Sequence, residues 1–307
     1  MIEKEKVYVI IVTYNGKTWI EKCLKSIHKS LITVNTIIID NGSTDGTQNI
    51  IKQFANVNFI QSDTNLGFGK ANNKGMEIAV NNKADYIFLL NQDAWIEENT
   101  ISELLRVAKK NAGYGIISPL HLNGTYTALD LNFSKQLAPE YCPSFYSDLY
   151  FKTLQSIYNI EFVNAAAWLV SADCINKVGY FEPQFFLYGE DNNYLQRVKY
   201  YGLKIGIVPT CTICHDREIR GGKMNDAGLK IFERTQSLIT LLNITCNYQL
   251  SVIRFLKERL YLFIKFLLRK DFRSLKYQWA EFFFLIRNFQ KLKSIREGYK
   301  VNKKRGI

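Results

Sequence analysis

Tyr86-Ile-Phe-Leu-Leu-Asn-Gln-Asp93-Ala-Trp95 is a short apolar run that stops abruptly on a carboxylate. It is too short for a free-standing helix, and its length and polar borders predict a strand buried on both faces. In open α/β sheets, ligands gather at the carboxyl ends of the strands. A carboxylate delivered there holds a divalent metal or contacts a sugar hydroxyl. The chemistry then depends on which other segments reach the same edge.

Working outward, residues 7–13 predict a buried strand, 19–30 a helix, 36–40 a β-branched strand, 47–54 a helix and 57–61 a third strand. Helical spacing returns over 70–81, the opening strand occupies 84–90, and 99–111 is again helical. This alternation implies βαβ units: an α/β fold with a mainly parallel central sheet flanked by helices. From 115 to 158 the pattern loosens into one strand at 116–120 and a loop or antiparallel ribbon. Strands follow at 162–171 and 204–208, and helices at 174–178, 190–201 and 226–247. Two more helices, 254–269 and 272–292, flank Lys270-Asp271. The expected division is a domain over 1–249 and a basic amphipathic helical extension over 250–307.

Charge sharpens that division. Residues 250–307 carry sixteen Lys and Arg against four Asp and Glu, a net +12 equal to that of all 307 residues. Aromatic and aliphatic residues at helical spacing (Phe255, Leu260, Phe263, Trp279, Phe283) are bordered by cations there. Such a stretch fits an anionic membrane surface or a hairpin packed on the main domain with a solvated basic face. No nucleic-acid-binding motif accompanies the charge, so no nucleic-acid partner is expected. Met1-Ile-Glu-Lys-Glu-Lys leads straight into an apolar run too short for export, and no stretch is long and apolar enough to span a bilayer. The expectation is a cytoplasmic chain with reduced cysteines, peripheral on the inner face of the cell membrane.

Four polar segments fall at the ends of successive predicted strands: Thr13-Tyr14-Asn15-Gly16, Asp40-Asn-Gly-Ser-Thr-Asp45-Gly, Asn65-Leu-Gly67-Phe-Gly69-Lys70-Ala-Asn72-Asn73, and Asn91-Gln-Asp93. Each alone is ordinary turn chemistry. Gly67-Phe-Gly69 mimics a dinucleotide loop but lacks the third glycine. Together they share one edge of one sheet. In order and spacing, over roughly residues 5 to 245, they resemble family 2 glycosyltransferases with the GT-A fold, of the rhamnosyltransferase-like branch in bacterial polysaccharide assembly.

The resemblance implies roles. Thr13, Tyr14 and Asn15 line the nucleotide pocket, and Asp40 accepts from a pyrimidine N–H. Asn65, Gly67 and Lys70 border base and ribose, with Asn72 on the donor side. Asp93 is the last carboxylate of the family's Asp-x-Asp metal motif, whose first position here is Asn91. Mg²⁺ or Mn²⁺ would then be bound together with the nucleotide diphosphate, since either ion accepts a few protein oxygens plus phosphate oxygens. Tyr188-Gly-Glu190-Asp191 resembles the family's Glu-Asp segment, which implies Asp191 as general base and Glu190 on the acceptor side; the alternative is two acids charging a helix N-terminus.

Cys211-Thr-Ile-Cys214-His215 matches a haem-attachment string but has few methionines to serve it, and a second ligand pair for zinc is absent. The family places such a histidine at the metal–diphosphate site; a structural histidine is the alternative. Arg217, Arg220 and Lys223 follow as a diphosphate clamp or a solvated charge run. Trp168 is read as a sugar-stacking platform or a core residue, and His28 and His121 as surface or structural residues. The implied activity is inverting transfer from a nucleotide-sugar donor, dTDP-rhamnose or a UDP-hexose, to a glycan or lipid-linked glycan acceptor. The alternatives are a catalytically impaired carbohydrate-binding relative, or a basic surface-binding protein with a vestigial pocket.

Overall fold

In the computed structural model, which describes residues 5–217 and 226–300, the β-branched runs form strands whose side chains alternate between two apolar layers. The elements follow in chain order: β1 Val7–Thr13, α1 Ile20–His28, β2 Asn35–Asp40, α2 Thr47–Ile51, β3 Val57–Gln61, α3 Phe68–Asn81, β4 Tyr86–Asn91, β5 Ala94–Ile96, α4 Thr100–Lys110 and β6 Tyr114–Asn123. They continue with α5 Leu131–Gln136, α6 Phe145–Phe151, β7 Tyr158–Asn159, β8 Ala167–Ser171, α7 Ala172–Val178, α8 Glu190–Tyr200, β9 Lys204–His215, α9 Asp226–Leu241, α10 Tyr248–Leu268 and α11 Phe272–Lys300.

Among the described residues nine strands share one sheet, in the order β3-β2-β1-β4-β8-β6-β9-β5, with β7 on β9. Ile10, Ile37, Leu89 and Trp168 face the layer that holds α3, α7 and α8. Their neighbours Val9, Ile11, Ile38, Phe88 and Leu169 face α1 and α4. This period of two, buried on both sides, explains why β1 and β4 read as continuous apolar runs.

The half formed by β3, β2, β1 and β4 is parallel throughout. Beyond β4 the sheet is mixed, because β8 runs antiparallel to both β4 and β6 while β6 and β9 are parallel. All four strand-end motifs therefore lie on the parallel half or at its border.

Three differences from the sequence expectation have physical causes. The strand expected to end at Val208 continues to His215. Pro209 lacks an N–H for the ladder, and the register jumps from Pro119/Val208 to Leu120/Thr212 before pairing resumes. The three-residue strand β5, too short to show a period, pairs antiparallel with the end of β9 and sets Ala94 opposite His215. The loose region contains two short helices, the first capped by Asp130, whose Oδ1 accepts from the Phe133 N–H at 2.8 Å.

Helices α9, α10 and α11 form a further layer, and its packing spans the expected boundary at 249/250. Leu238, Leu241, Phe255, Leu285 and Leu292 share one apolar cluster with Phe185 from the loop before α8. Arg296 is fully buried and donates to the Leu241 carbonyl at 3.2 Å and the Ser251 hydroxyl at 3.1 Å. The Tyr299 hydroxyl donates to Glu182 at 2.7 Å, tying the last turn of α11 to the sheet domain. Among the described residues no helix is long and apolar enough to cross a membrane.

Candidate active site

The strand ends of the parallel half are stitched to one another by side chains. Asp40 is fully buried. Its Oδ1 accepts from the Thr13 and Ser43 hydroxyls, and its Oδ2 accepts from the Ser43 N–H and the Gln48 amide, both at 3.0 Å. Asn15 sits at φ 48° and exchanges hydrogen bonds with the next loop: its N–H donates to the Ser43 hydroxyl and its Oδ1 accepts from the Thr44 N–H, each at 2.9 Å. Gln92 pairs with the Tyr14 backbone in both directions, at 3.0 and 3.1 Å. Asn41 bridges to Leu66 and Gly67. Gly67 holds φ 83° directly under the Phe186 carbonyl, where a Cβ would collide with backbone, so α3 starts against the loop that leads to α8.

A cleft of roughly 520 Å³ opens beside this rim, lined by Asn91, Asp93, Asn164, Glu190, Asp191 and His215, with Trp19, Tyr188 and Asp216 at its margins. His215 arrives on β9, and its Nε2 lies 3.5 Å from Asp93 Oδ1 and 3.5 Å from Asn91 Nδ2. Its other ring nitrogen faces Asp130 Oδ2 at 4.0 Å. His121 sits behind, stacked on Phe133 with centroids 4.4 Å apart and edge-on to His215. Burial, with smaller contributions from His215 and Arg217, holds His121 well below the ordinary imidazole range.

Several buried polar atoms here lack a protein partner: Asn91 Oδ1, Asn164 Oδ1, Glu190 Oε2 and His215 Nδ1. Native structures keep few such atoms. Asp93, the Asn91 amide oxygen and the His215 imidazole offer one charged and two neutral donors. That set suits Mg²⁺ or Mn²⁺ when further oxygens complete the shell. Among the described residues no three His, Cys, Asp or Glu side chains form a ready metal site.

Glu190 and Asp191 open α8 behind Gly189, where the helix N-terminus favours negative charge. Burial raises the Glu190 carboxyl to about 8, and the Asp191 charge adds to the rise. Burial also raises Asp191, against hydrogen bonds from the Asn192 N–H and side-chain amide that favour its charged form. Burial and the Asp191 charge thus both favour the protonated form of Glu190.

The structure brings together Asn91, Asp93, Glu190, Asp191 and His215. Tyr14, Asn15 and Lys70 are exposed on the rim, and Asn65 is half-buried there. Asn72 is buried and donates to the Phe68 carbonyl at 3.0 Å within its own helix. Trp168 needs correction as a sugar platform. It is fully buried, its ring stacked against Phe181 and tilted on Tyr194, so it serves the core. In β8 its position opposite Leu89 directs it to the inner layer. Cys211 likewise packs in the core, away from any ligand string with His215. Arg217 borders the cleft, whereas Arg220 and Lys223 lie outside the described residues.

Sequence reasoning did not single out Asp130, Asn164, Asp216 or Trp19. Trp19 Nε1 donates to Asp216 at 2.9 Å, and the Asp216 N–H donates to the Asp93 carbonyl at 2.9 Å. Only Asp216 carried a signal, its place directly after His215.

The arrangement defines a GT-A fold. GalNAc-T7, crystallised with UDP, GalNAc and Mn²⁺, superposes with a TM-score of 0.61 at 15% identity, covering 83% of this chain and 54% of that one. S. aureus TarS 1–349 in complex with UDP-GlcNAc gives 0.57 at 16% identity, covering 80% and 69%. Residues 8–156 match the profile of Glycosyl transferase family 2, so this stretch, just under half of the chain, carries a domain of that family. The N-acetylglucosaminyl-diphospho-decaprenol L-rhamnosyltransferase of Mycobacterium tuberculosis is 25% identical over 239 residues, 70% of this chain and 77% of its own. Two further bacterial relatives align over 31% and 15% of their own lengths, so the chain spans a third or less of those proteins.

Proposed function

We propose that this protein is an inverting hexosyltransferase of cell-surface glycan synthesis. It moves a sugar from a nucleotide-diphosphate donor, dTDP-rhamnose or a UDP-hexose, to a glycan or lipid-linked glycan. The observation that carries the reading is the convergence of Asp93, His215 and the Glu190–Asp191 pair on one cleft at the carboxyl edge of the parallel strands. Likeness to a rhamnosyltransferase that uses a diphospho-decaprenol acceptor supports the substrate class.

Tyr14, Asn15, Asn65 and Lys70 form the nucleoside wall. Asp40 reads a pyrimidine N–H when one of its four donors gives way, and otherwise braces the turn. Asn91, Asp93 and His215 would hold a divalent cation together with the diphosphate, where it would supply positive charge to the leaving group. Asp191 takes the proton of the acceptor hydroxyl as that oxygen bonds to the anomeric carbon. The bond from that carbon to the diphosphate oxygen breaks on the opposite face, and the nucleoside diphosphate leaves with the electron pair. Protonated Glu190 sits beside the base without adding a second negative charge.

Asp191→Asn tests the assignment after a screen of nucleotide sugars for thermal stabilisation, with and without Mn²⁺, identifies the donor. Transfer should fall by roughly 10²–10⁴-fold while donor binding persists. Transfer at the wild-type rate would remove Asp191 as the base. No stabilisation by any nucleotide sugar would remove the enzyme reading.

A further inference from the structure

The hairpin of α10 and α11 carries an apolar face that its own core does not use. Its inward side is accounted for by residues such as Phe255, Leu285 and Leu292. On the outer side Ile253, Leu256, Leu260, Ile264 and Leu267 recur at helical spacing along α10, each 38% to 60% exposed. Trp279, Phe283 and Ile286 form a matching stripe on α11, each at least half exposed. The stripes meet in a groove of roughly 390 Å³, where Leu256, Leu260, Phe263, Trp279 and Phe282 leave only Arg259 and Gln278 as polar lining. Scattered exposed apolar residues are normal, whereas a continuous double stripe marks an interaction surface.

Charge selects the partner. Lys257 lies one helical turn from Ile253 and Leu260, Lys276 one turn from Phe272 and Trp279, and Arg287 one turn from Phe283. All three are exposed, and none forms an ion pair with a described residue. Arg259 and Arg296, by contrast, are turned inward onto Glu233 and onto backbone carbonyls. The stripe is thus edged by free positive charge within a segment of net +12. A second copy would bring the same positive rim against this one, because a two-fold contact joins identical patches. An anionic bilayer satisfies stripe and rim together. The two helices lie side by side, and neither is apolar enough to cross a membrane.

We propose that the α10–α11 hairpin lies flat in the interface of an anionic phospholipid bilayer. Trp279 and the groove residues enter the acyl boundary, and Lys257, Lys276 and Arg287 sit at the lipid phosphates. The inference stands independently of the transfer reaction, since none of these residues lines the catalytic cleft.

Flotation of the full chain with vesicles of phosphatidylcholine containing one quarter phosphatidylglycerol tests it. The chain should float with these vesicles, float poorly with pure phosphatidylcholine, and lose binding as salt rises. Lys257→Gln, Lys276→Gln and Arg287→Gln should each lower the partition coefficient roughly fivefold, and Leu260→Glu with Trp279→Glu should lower it more than tenfold. These positions are exposed, so melting temperature and nucleotide binding should be unchanged and serve as the folding control. Trp279→Phe should abolish most of the blue shift in tryptophan fluorescence on vesicles while retaining binding. Equal flotation of all variants, or no flotation of the wild type, would overturn the proposal. So would a lipid-free dimer that Leu260→Glu with Trp279→Glu splits into monomers.

Discussion

The rim of the parallel half and the cleft beside it are built from the same residue types, yet they treat polar atoms in opposite ways. On the rim, Asp40 is buried with both oxygens occupied by four protein donors, and Asn15, Asn41 and Gln92 each bind a neighbouring loop. In the cleft, Asn91, Asn164, Glu190 and His215 each keep a buried polar atom without a partner. A satisfied buried network fixes shape, whereas an unsatisfied one costs stability until a ligand completes it. Two aspartates at strand ends, Asp40 and Asp93, therefore do different work: the first holds loops in place, and the second faces open space beside His215.

The strongest way to break this contrast is to remove each aspartate in turn and read stability. Asp40→Ala strands the Thr13, Ser43 and Gln48 donors in the interior and should destabilise the fold by about 3–5 kcal/mol, measured by chemical denaturation. Asp93→Ala, whose carboxylate accepts no hydrogen bond from a described residue beyond the weak His215 contact, should stay within about 1 kcal/mol of wild type. Similar losses for the two would erase the distinction.

Metal-dependent nucleotide binding sharpens the contrast from the other side. Asp93→Asn should weaken the Mn²⁺-dependent part of nucleoside diphosphate binding by roughly tenfold to a hundredfold and leave the metal-free part unchanged, as titration calorimetry would report. An equal loss with and without Mn²⁺ would place Asp93 against the nucleotide alone.

A further effect concerns pH. The Glu190 carboxyl, raised to about 8, is neutral in the folded protein where an exposed glutamate is charged. The sign follows from linkage. Its contribution to stability is fully present below the ordinary glutamate range near 4.3 and is lost as pH rises through about 8. Glu190→Gln should melt at a higher temperature than wild type at pH 8.5 and draw level at pH 4. It should also flatten the alkaline fall of kcat/KM, because a second carboxylate no longer forms next to Asp191. The acidic limb, which reports Asp191, should stay in place.

Legibility in the sequence tracked the range of the interactions. Strands β1 and β3 and the order of the four strand-end motifs were readable because short apolar runs and turn clusters encode themselves locally. Trp168 was ambiguous because its sequence neighbours do not say which face of β8 it occupies; its register opposite Leu89 does. The full length of β9 was hidden by Pro209, and β5 by having only three residues. Asp130 gave no signal, since a helix cap and a histidine's neighbour look alike until the chain is folded.

The sequence by itself determined the α/β alternation, the family resemblance and the concentration of positive charge in the last helices, because each is written in contiguous residues. Tertiary structure alone decided that His215 meets Asp93, through the pairing of β5 with β9, and that Asp40 is braced while Asp93 is open. It also decided that the apolar residues of α10 and α11 divide between a used and an unused face. Periodicity shows that a helix has faces, but only packing against specific neighbours shows which face remains for a partner.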